Sequence, residues 1–243
     1  MTTLTNMKKN KGNAKGFTLL ELLIVIAIIA ILSIALVFML NPAETLKKAR
    51  DAQRISDLKT VKTALGIMLT ASSTPKLDSA GSAICTTDTS GGAQTAKIAY
   101  SASSTAPVTA TVGGSDTIGA GAFVSLGYTV SAANSGKVDG SGWIPVNLKA
   151  LTGGTPISAF PIDPINTVSG TAASTDLVYR YACQNATPTA SPSKPAYIFE
   201  IDAVLESNAY KIEDNKMAKD GGDNDSYFES GNSLNILPTT TTF

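Results

Sequence analysis

Histidine is absent from all 243 residues. That removes the commonest general base, the commonest metal ligand and every Ser-His or Cys-His nucleophile pair. Cysteine occurs twice, at Cys85 and Cys183, too widely spaced for a CxxC redox or zinc pattern. No GxGxxG or P-loop is present, and Asp and Glu are scattered without a recognisable catalytic pairing. The chain is therefore not expected to be an enzyme. Clustered basic charge is also missing beyond the first sixteen positions. Lys and Arg balance Asp and Glu at 19 each, but Lys8, Lys9, Lys11 and Lys15 precede every acid. The remainder is mildly acidic and lacks the electrostatic footprint of a nucleic-acid binder. The length leaves room for one ordinary domain plus one long additional element.

What the sequence does have is an apolar run, Phe17 to Leu40, reading FTLLELLIVIAIIAILSIALVFML. It matches the roughly 20 residues that a helix needs to cross a bilayer core. Its one ionisable side chain is Glu21. Such a run is not a surface helix of a soluble domain. A secretory signal has a shorter apolar core followed by a small-x-small cleavage site, and Phe38-Met39-Leu40-Asn41-Pro42 offers none. The basic leader ends instead in Lys15-Gly16, directly before Phe17. Charge alone does not orient the segment, because Lys47, Lys48, Arg50 and Arg54 beyond the span rival the leader lysines.

Lys15-Gly16-Phe17-Thr18-Leu19-Leu20-Glu21-Leu22-Leu23 resembles the processing motif of type IV prepilins and of the pseudopilins of type II secretion systems. The resemblance implies that a prepilin peptidase cuts between Gly16 and Phe17 and methylates the new N-terminus at Phe17. It also implies that Glu21, at the fifth mature position, pairs with the N-terminal amine of a neighbouring subunit and sets register during assembly. Independently of family, a carboxylate in a membrane helix costs about 2.5 to 3.5 kcal/mol at mid-bilayer and calls for a partner. The bland reading of Glu21 is that it snorkels to the nearby interface.

The helical pattern continues past the apolar run. Residues 43–71 contain almost no breaker, and Leu58, Val61, Leu65, Met68 and Leu69 recur at helical spacing against a charged remainder. A single helix from Phe17 to Ala71 would be roughly 80 Å long at about 1.5 Å per residue. At Asn41-Pro42 the proline either kinks that helix or ends one helix and opens another from a position near N1.

Residues 72–141 are rich in Ser, Thr, Ala and Gly, with short strands expected at Ala96 to Tyr100 and Phe123 to Val130. The following Pro-rich stretch favours an extended, turn-rich path, with Trp143 as a packed anchor beneath it. Further strands are expected at Leu177 to Cys183, Ala196 to Leu205 and Leu234 to Leu237. The pieces Phe160 to Asn166 and Tyr179 to Cys183 resemble the region of major pseudopilins and related bacterial pilins where a Pro-rich loop leads into the sheet. In an exported protein Cys85 and Cys183 read as one disulfide. Closing a loop of that size contributes about 4.7 kcal/mol in the chain-entropy model. Asp220-Gly221-Gly222-Asp223-Asn224-Asp225 puts several oxygens on a Gly-bent loop, with Asp220, Asp223 and Asp225 as calcium ligands. Major pseudopilins carry calcium in a comparable place; a solvated acidic turn is the other reading.

The resemblance implies an α+β pilin fold, a long N-terminal helix packed on a small antiparallel β-sheet. The expected layout is a cleaved basic leader at 1–16, a transmembrane and filament-core half-helix at 17–40, an amphipathic half at 41–71 and an exported β-rich domain at 72–243. Implied partners are further copies of the chain in a homo-oligomeric filament, the prepilin peptidase, the inner-membrane assembly machinery and membrane lipid before assembly. The expected location is a single-pass membrane precursor and then a cell-surface or extracellular filament. Two other functions remain open. One is a pseudopilin of a type II secretion system. The other, of a different class, is a non-polymerising membrane-anchored surface binding protein.

Overall fold

The computed structural model describes residues 16–79, 84–85, 95–103, 108–109, 117–118, 121–123, 127–173, 175–185 and 197–238. The basic leader with its four lysines lies outside the described residues, apart from Gly16, as do Ala196 and much of the Ser/Thr-rich stretch. The chain divides into two compact units, Met1–Thr45 and Leu46–Phe243.

In the first unit, helix α1 (Leu19–Leu40) opens on a capping box. The Thr18 hydroxyl accepts from the Glu21 backbone N–H at 3.2 Å, while the Glu21 carboxylate accepts from the Thr18 N–H at 2.8 Å. Two of the helix's four orphan donors are thereby satisfied from within. No residue of α1 is buried, and its large apolar side chains are 48 to 86 % exposed. The helix is long and apolar enough to cross a membrane. It stops at Asn41, which adopts the left-handed conformation with φ 37°. Asn tolerates that conformation better than most non-glycine residues. Pro42 then opens helix α2 (Pro42–Ala71), where its missing N–H falls among donors that have no helical partner in any case. The Asn41 carbonyl accepts from the Glu44 and Thr45 N–H groups. Of the two readings of Asn41-Pro42, the structure has the paired helices rather than one kinked helix.

The second unit contains the remainder of α2 and the sheet. Strands β2 (Ala99–Ser103), β5 (Tyr128–Val130), β6 (Tyr179–Gln184), β7 (Ile198–Ala203) and β8 (Phe228–Gly231) form a five-stranded sheet in the order β5-β2-β6-β7-β8. All neighbours are antiparallel except β2 and β5, which are parallel. Short strands β1 (Thr95–Ala96), β3 (Thr117–Ile118) and β4 (Gly121–Phe123) make a second, three-stranded sheet. The architecture is α+β and consistent with a pilin fold.

Period-two alternation decides which side chains meet α2. Tyr179, Tyr181 and Cys183 of β6 and Phe199, Ile201 and Ala203 of β7 join Leu58, Val61, Ala64, Leu65 and Met68 of α2 in one apolar core. Each fully buried Leu or Val there contributes about 1.5 to 3 kcal/mol. The intervening residues Arg180, Glu200 and Asp202 point to the opposite face and are also buried, because the chain covers that face with Tyr227, Ile236 and Leu237. Trp143 is fully buried, and its indole N–H donates to the Pro161 carbonyl at 2.9 Å, which fixes the Pro-rich stretch above it.

The strand expected at Leu234 to Leu237 is absent: these residues are bends. The N–H groups of Ile236 and Leu237 donate to the Glu200 carboxylate at 2.6 and 2.9 Å instead of to a neighbouring strand. The last strand of the sheet is β8, six residues earlier, which carries a buried Glu229 and so lacks a simple apolar pattern.

Candidate functional site

The residues singled out by sequence fall in three places. At the start of α1, Gly16 has nothing within 4 Å of where a Cβ would stand, and it does not sit at positive φ. Neither packing nor backbone geometry requires glycine there. Phe17 is 86 % exposed and precedes the first helical turn. Glu21 lies one turn into α1, and its carboxylate also accepts from the Thr18 hydroxyl at 2.8 Å. The N-terminal end of α1 therefore presents an exposed residue pair followed by a carboxylate held at the helix N-terminus, where the macrodipole favours negative charge.

The second place is the disulfide between Cys85 and Cys183, which closes a sequence separation of 98. Cys183 sits on the core-facing side of β6, so the bridge ties the segment around Ile84 and Cys85 to the sheet. The backbone N–H groups of Ile84 and Cys85 both donate to the Asp78 carboxylate, at 3.2 and 3.1 Å.

The third is the acidic loop. Asp220 serves the turn itself: its two carboxylate oxygens accept from the Gly222 N–H at 2.9 Å and the Glu229 N–H at 2.7 Å. Asp225 lines a cavity of about 500 Å³ together with Lys47, Glu206, Lys211 and Met217. Asp223 instead joins two strand residues that the sequence reading did not select, Glu200 on β7 and Glu229 on β8. One carboxylate oxygen from each of the three lies within 4.8 Å of the others. Glu200 and Glu229 are buried, whereas Asp223 is exposed. Burial pushes the Glu200 carboxyl above the ordinary range, and burial together with the adjoining Glu200 carboxyl pushes Glu229 up as well. The sequence held one signal for this arrangement: acids alternating with apolar residues in Phe199-Glu200-Ile201-Asp202 place carboxylates on a single face of a strand that is buried on both.

The donors of this cluster are all carboxylate oxygen, the chemistry that suits calcium and magnesium rather than thiophilic metals. Glu200 and Glu229 share a side-chain hydrogen bond across this buried face.

A fourth feature was not anticipated. Arg54 of α2 is fully buried and binds three acids at once. Its Nε and Nη2 hold Asp163 at 2.6 and 3.0 Å, and its Nη1 reaches Asp51 at 2.8 Å and Glu206 at 2.7 Å. Arg50 grips the same Glu206 through two bonds of 2.7 and 2.9 Å. In sequence these are ordinary members of a charged helix face. The missing signal is Asp163 in the Pro-rich loop, which also accepts the N–H groups of Ile165 and Asn166.

Residues 11–37 match the prokaryotic N-terminal methylation motif, the hallmark of precursors of type IV pilin and pseudopilin type. No curated protein and no solved structure matches the chain.

Proposed function

We propose that this protein is the precursor of a structural subunit of a type IV pilus-like filament, cut between Gly16 and Phe17 and polymerised through α1. The observation that carries this reading is the conjunction at residues 11–37: a methylation motif on a helix whose apolar side chains are all exposed. An apolar helix of this length is stable in a bilayer or buried among like helices, and in water in neither form. Assembly exchanges lipid for neighbouring helices around it. The free choice of residue at position 16, so far as the fold is concerned, supports recognition of Gly16 by a processing enzyme.

Cleavage creates an ammonium on Phe17, one residue from the capping threonine. The Glu21 carboxylate is then the natural counter-charge for such an amine on an adjacent subunit, exchanging its bonds to Thr18 for an ion pair. The domain of residues 46–243 contributes the filament's outer surface and no catalysis. The precursor resides in the membrane as a single-pass protein and the product is a filament at the cell surface.

Two variants test this. Glu21→Ala is expected to be processed normally, by N-terminal sequencing, and to yield few or no filaments when sheared material is viewed by electron microscopy with antibody to the chain. Gly16→Phe is expected to leave the chain uncut in the membrane. Full filament yield from the processed Glu21→Ala chain would remove the pairing role. A parent chain that stays uncut and is never recovered in filaments would favour a membrane-anchored binding protein instead.

A further inference from the structure

We propose that the cavity lined by Lys47, Lys211 and Asp225 binds one phospholipid with an amine-bearing headgroup, so that the second unit holds a lipid of the bilayer. The proposal goes beyond the filament reading and requires neither cleavage nor polymerisation.

The cavity measures about 500 Å³, a size common among sites for small organic ligands. It is lined by residues of the second unit alone. Its floor is apolar: Val204, Leu205 and Met217 are buried and Leu177 is half-buried. Its rim is polar, with Lys211, Asp225 and Ser226 exposed and Lys47 half-buried. Among the described residues neither Lys47 nor Lys211 belongs to an ion pair. The Glu206 carboxylate beside them is already taken by Arg50 and Arg54. Two unpaired ammonium groups above an apolar floor suit a phosphate that carries an acyl chain. Asp225 adds the opposite charge, which a headgroup amine satisfies and a glycerol headgroup leaves unmet.

Two observations favour a bilayer lipid over a soluble phosphate compound. Leu46 and Ile212 are 61 and 73 % exposed, the most of any large apolar side chain described in this unit. Each adjoins a cavity lysine in sequence, as Leu46-Lys47 and Lys211-Ile212. Apolar side chains set beside lysines mark segments that lie at a membrane interface, where the hydrocarbon enters the acyl boundary and the ammonium stays with the phosphates. The second observation is reach. Lys47 follows Leu40, the last residue of a helix long and apolar enough to cross a membrane, by seven positions. A chain of that length spans about 25 Å at most.

The test uses the full, uncut chain in detergent, so its failure is distinct from a failure of processing or assembly. Native mass spectrometry and Trp143-monitored melting are run with dihexanoyl phosphatidylethanolamine, the matching phosphatidylglycerol and water-soluble phosphoethanolamine. The expected result is one phosphatidylethanolamine retained per chain and a melting temperature raised by several degrees, with neither of the other compounds matching it. Lys47→Gln/Lys211→Gln keeps polar side chains at the rim. It is expected to melt as the parent does without lipid and to lose lipid affinity roughly tenfold or more. Asp225→Asn is expected to lose the preference for ethanolamine over glycerol. Lys62→Gln, at an exposed position of α2 outside the cavity lining, is expected to bind lipid as the parent does. Lipid binding undiminished in the double lysine variant would overturn the proposal, as would equal retention of phosphatidylglycerol by the parent or an equal effect of phosphoethanolamine. Lipid-free self-association that the double variant abolishes would give the cavity to a second copy of the chain, and would overturn it too.

Discussion

Replacing Arg54 by methionine isolates the buried ion cluster from the apolar core around it. Methionine retains much of the aliphatic volume and loses the guanidinium. Four hydrogen bonds disappear, two to Asp163 and one each to Asp51 and Glu206. Asp51 and Asp163 have no solvent exposure in their side chains, so both charges are stranded. Breaking a buried pair in this way costs about 3 to 5 kcal/mol. Two stranded acids push toward the upper end. The backbone N–H groups that Asp51 receives from Glu206 and Ser207, and that Asp163 receives from Ile165 and Asn166, push back. Glu206 retains Arg50. We expect a loss of about 4 kcal/mol. For a unit of this size each kcal/mol lowers Tm by about 2 to 4 °C, so Tm falls by roughly 8 to 16 °C.

The assay is thermal unfolding of the whole chain in detergent, followed by fluorescence of Trp143. That indole is the sole tryptophan and is fully buried in the unit that contains Arg54, so the apolar α1 segment adds no signal. Arg50→Met is the internal reference. Its partner is the same Glu206, but the Arg50 side chain is 29 % exposed, and pairs of that kind contribute about 0.2 to 1 kcal/mol. Equal melting of Arg54→Met and Arg50→Met, or an Arg54→Met curve that overlays the parent, would refute the assignment of the cluster as the clamp between α2 and the Pro-rich loop.

Two further outcomes follow from the same unit. Cys85→Ser/Cys183→Ser is expected to lose up to about 4.7 kcal/mol, read by the same melts, and a variant as stable as the parent would show that the bridge does little to restrain the unfolded chain. Arg50, and behind it Arg54, hold the Glu206 carboxyl down at about 2 from its ordinary 4.5 against the opposing effect of burial. A depressed carboxylate contributes stability that is complete above its ordinary range and is lost as the pH falls from about 4.5 toward 2. Arg50→Ala removes the largest cause, so Tm should vary less steeply with pH across that window; an unchanged slope between pH 5 and 3 would count against it.

The apolar run, the processing motif and the helix to Ala71 were legible because each is a local pattern: uninterrupted apolar residues, a fixed short string, a 3.6-residue period. The strands at β6 and β7 were legible for the same reason, through alternation around Tyr179, Tyr181, Phe199 and Ile201. Strand β8 was not, since Phe228-Glu229-Ser230-Gly231 has a buried acid where a one-sided sheet would have solvent. The break at Asn41 was undecidable in sequence: Asn before Pro is compatible with a kink or with a cap, and the outcome depends on whether Asn41 turns left-handed. The calcium reading of 220–225 selected residues by proximity along the chain, and the structure gathers carboxylates by proximity across the sheet.

Burial of charge on both sides of the sheet is the physical reason that β8 and the Arg54 cluster were not legible. Hydropathy assigns Asp51, Arg54, Arg180, Glu200, Asp202 and Glu229 to solvent, and all six are less than 5 % exposed. Apolar contacts alone would let α2 and the covering segments settle at several offsets, because such contacts are non-directional. Arg54 accepts one offset: its planar fork meets both oxygens of Asp163 only when α2 and the Pro-rich loop are in register. Glu200 does the same for the C-terminal segment by accepting two consecutive N–H groups, from Ile236 and Leu237. Burying these charges is expected to return specificity of register more than net stability. A variant with Arg54→Met, Asp51→Asn and Asp163→Asn separates the two, because it removes the charges while the amide oxygens still accept the N–H groups of Glu206, Ser207, Ile165 and Asn166. It should melt near or above the parent yet exchange backbone hydrogens faster across residues 160–166, and equal protection there would show that the apolar core sets the register unaided.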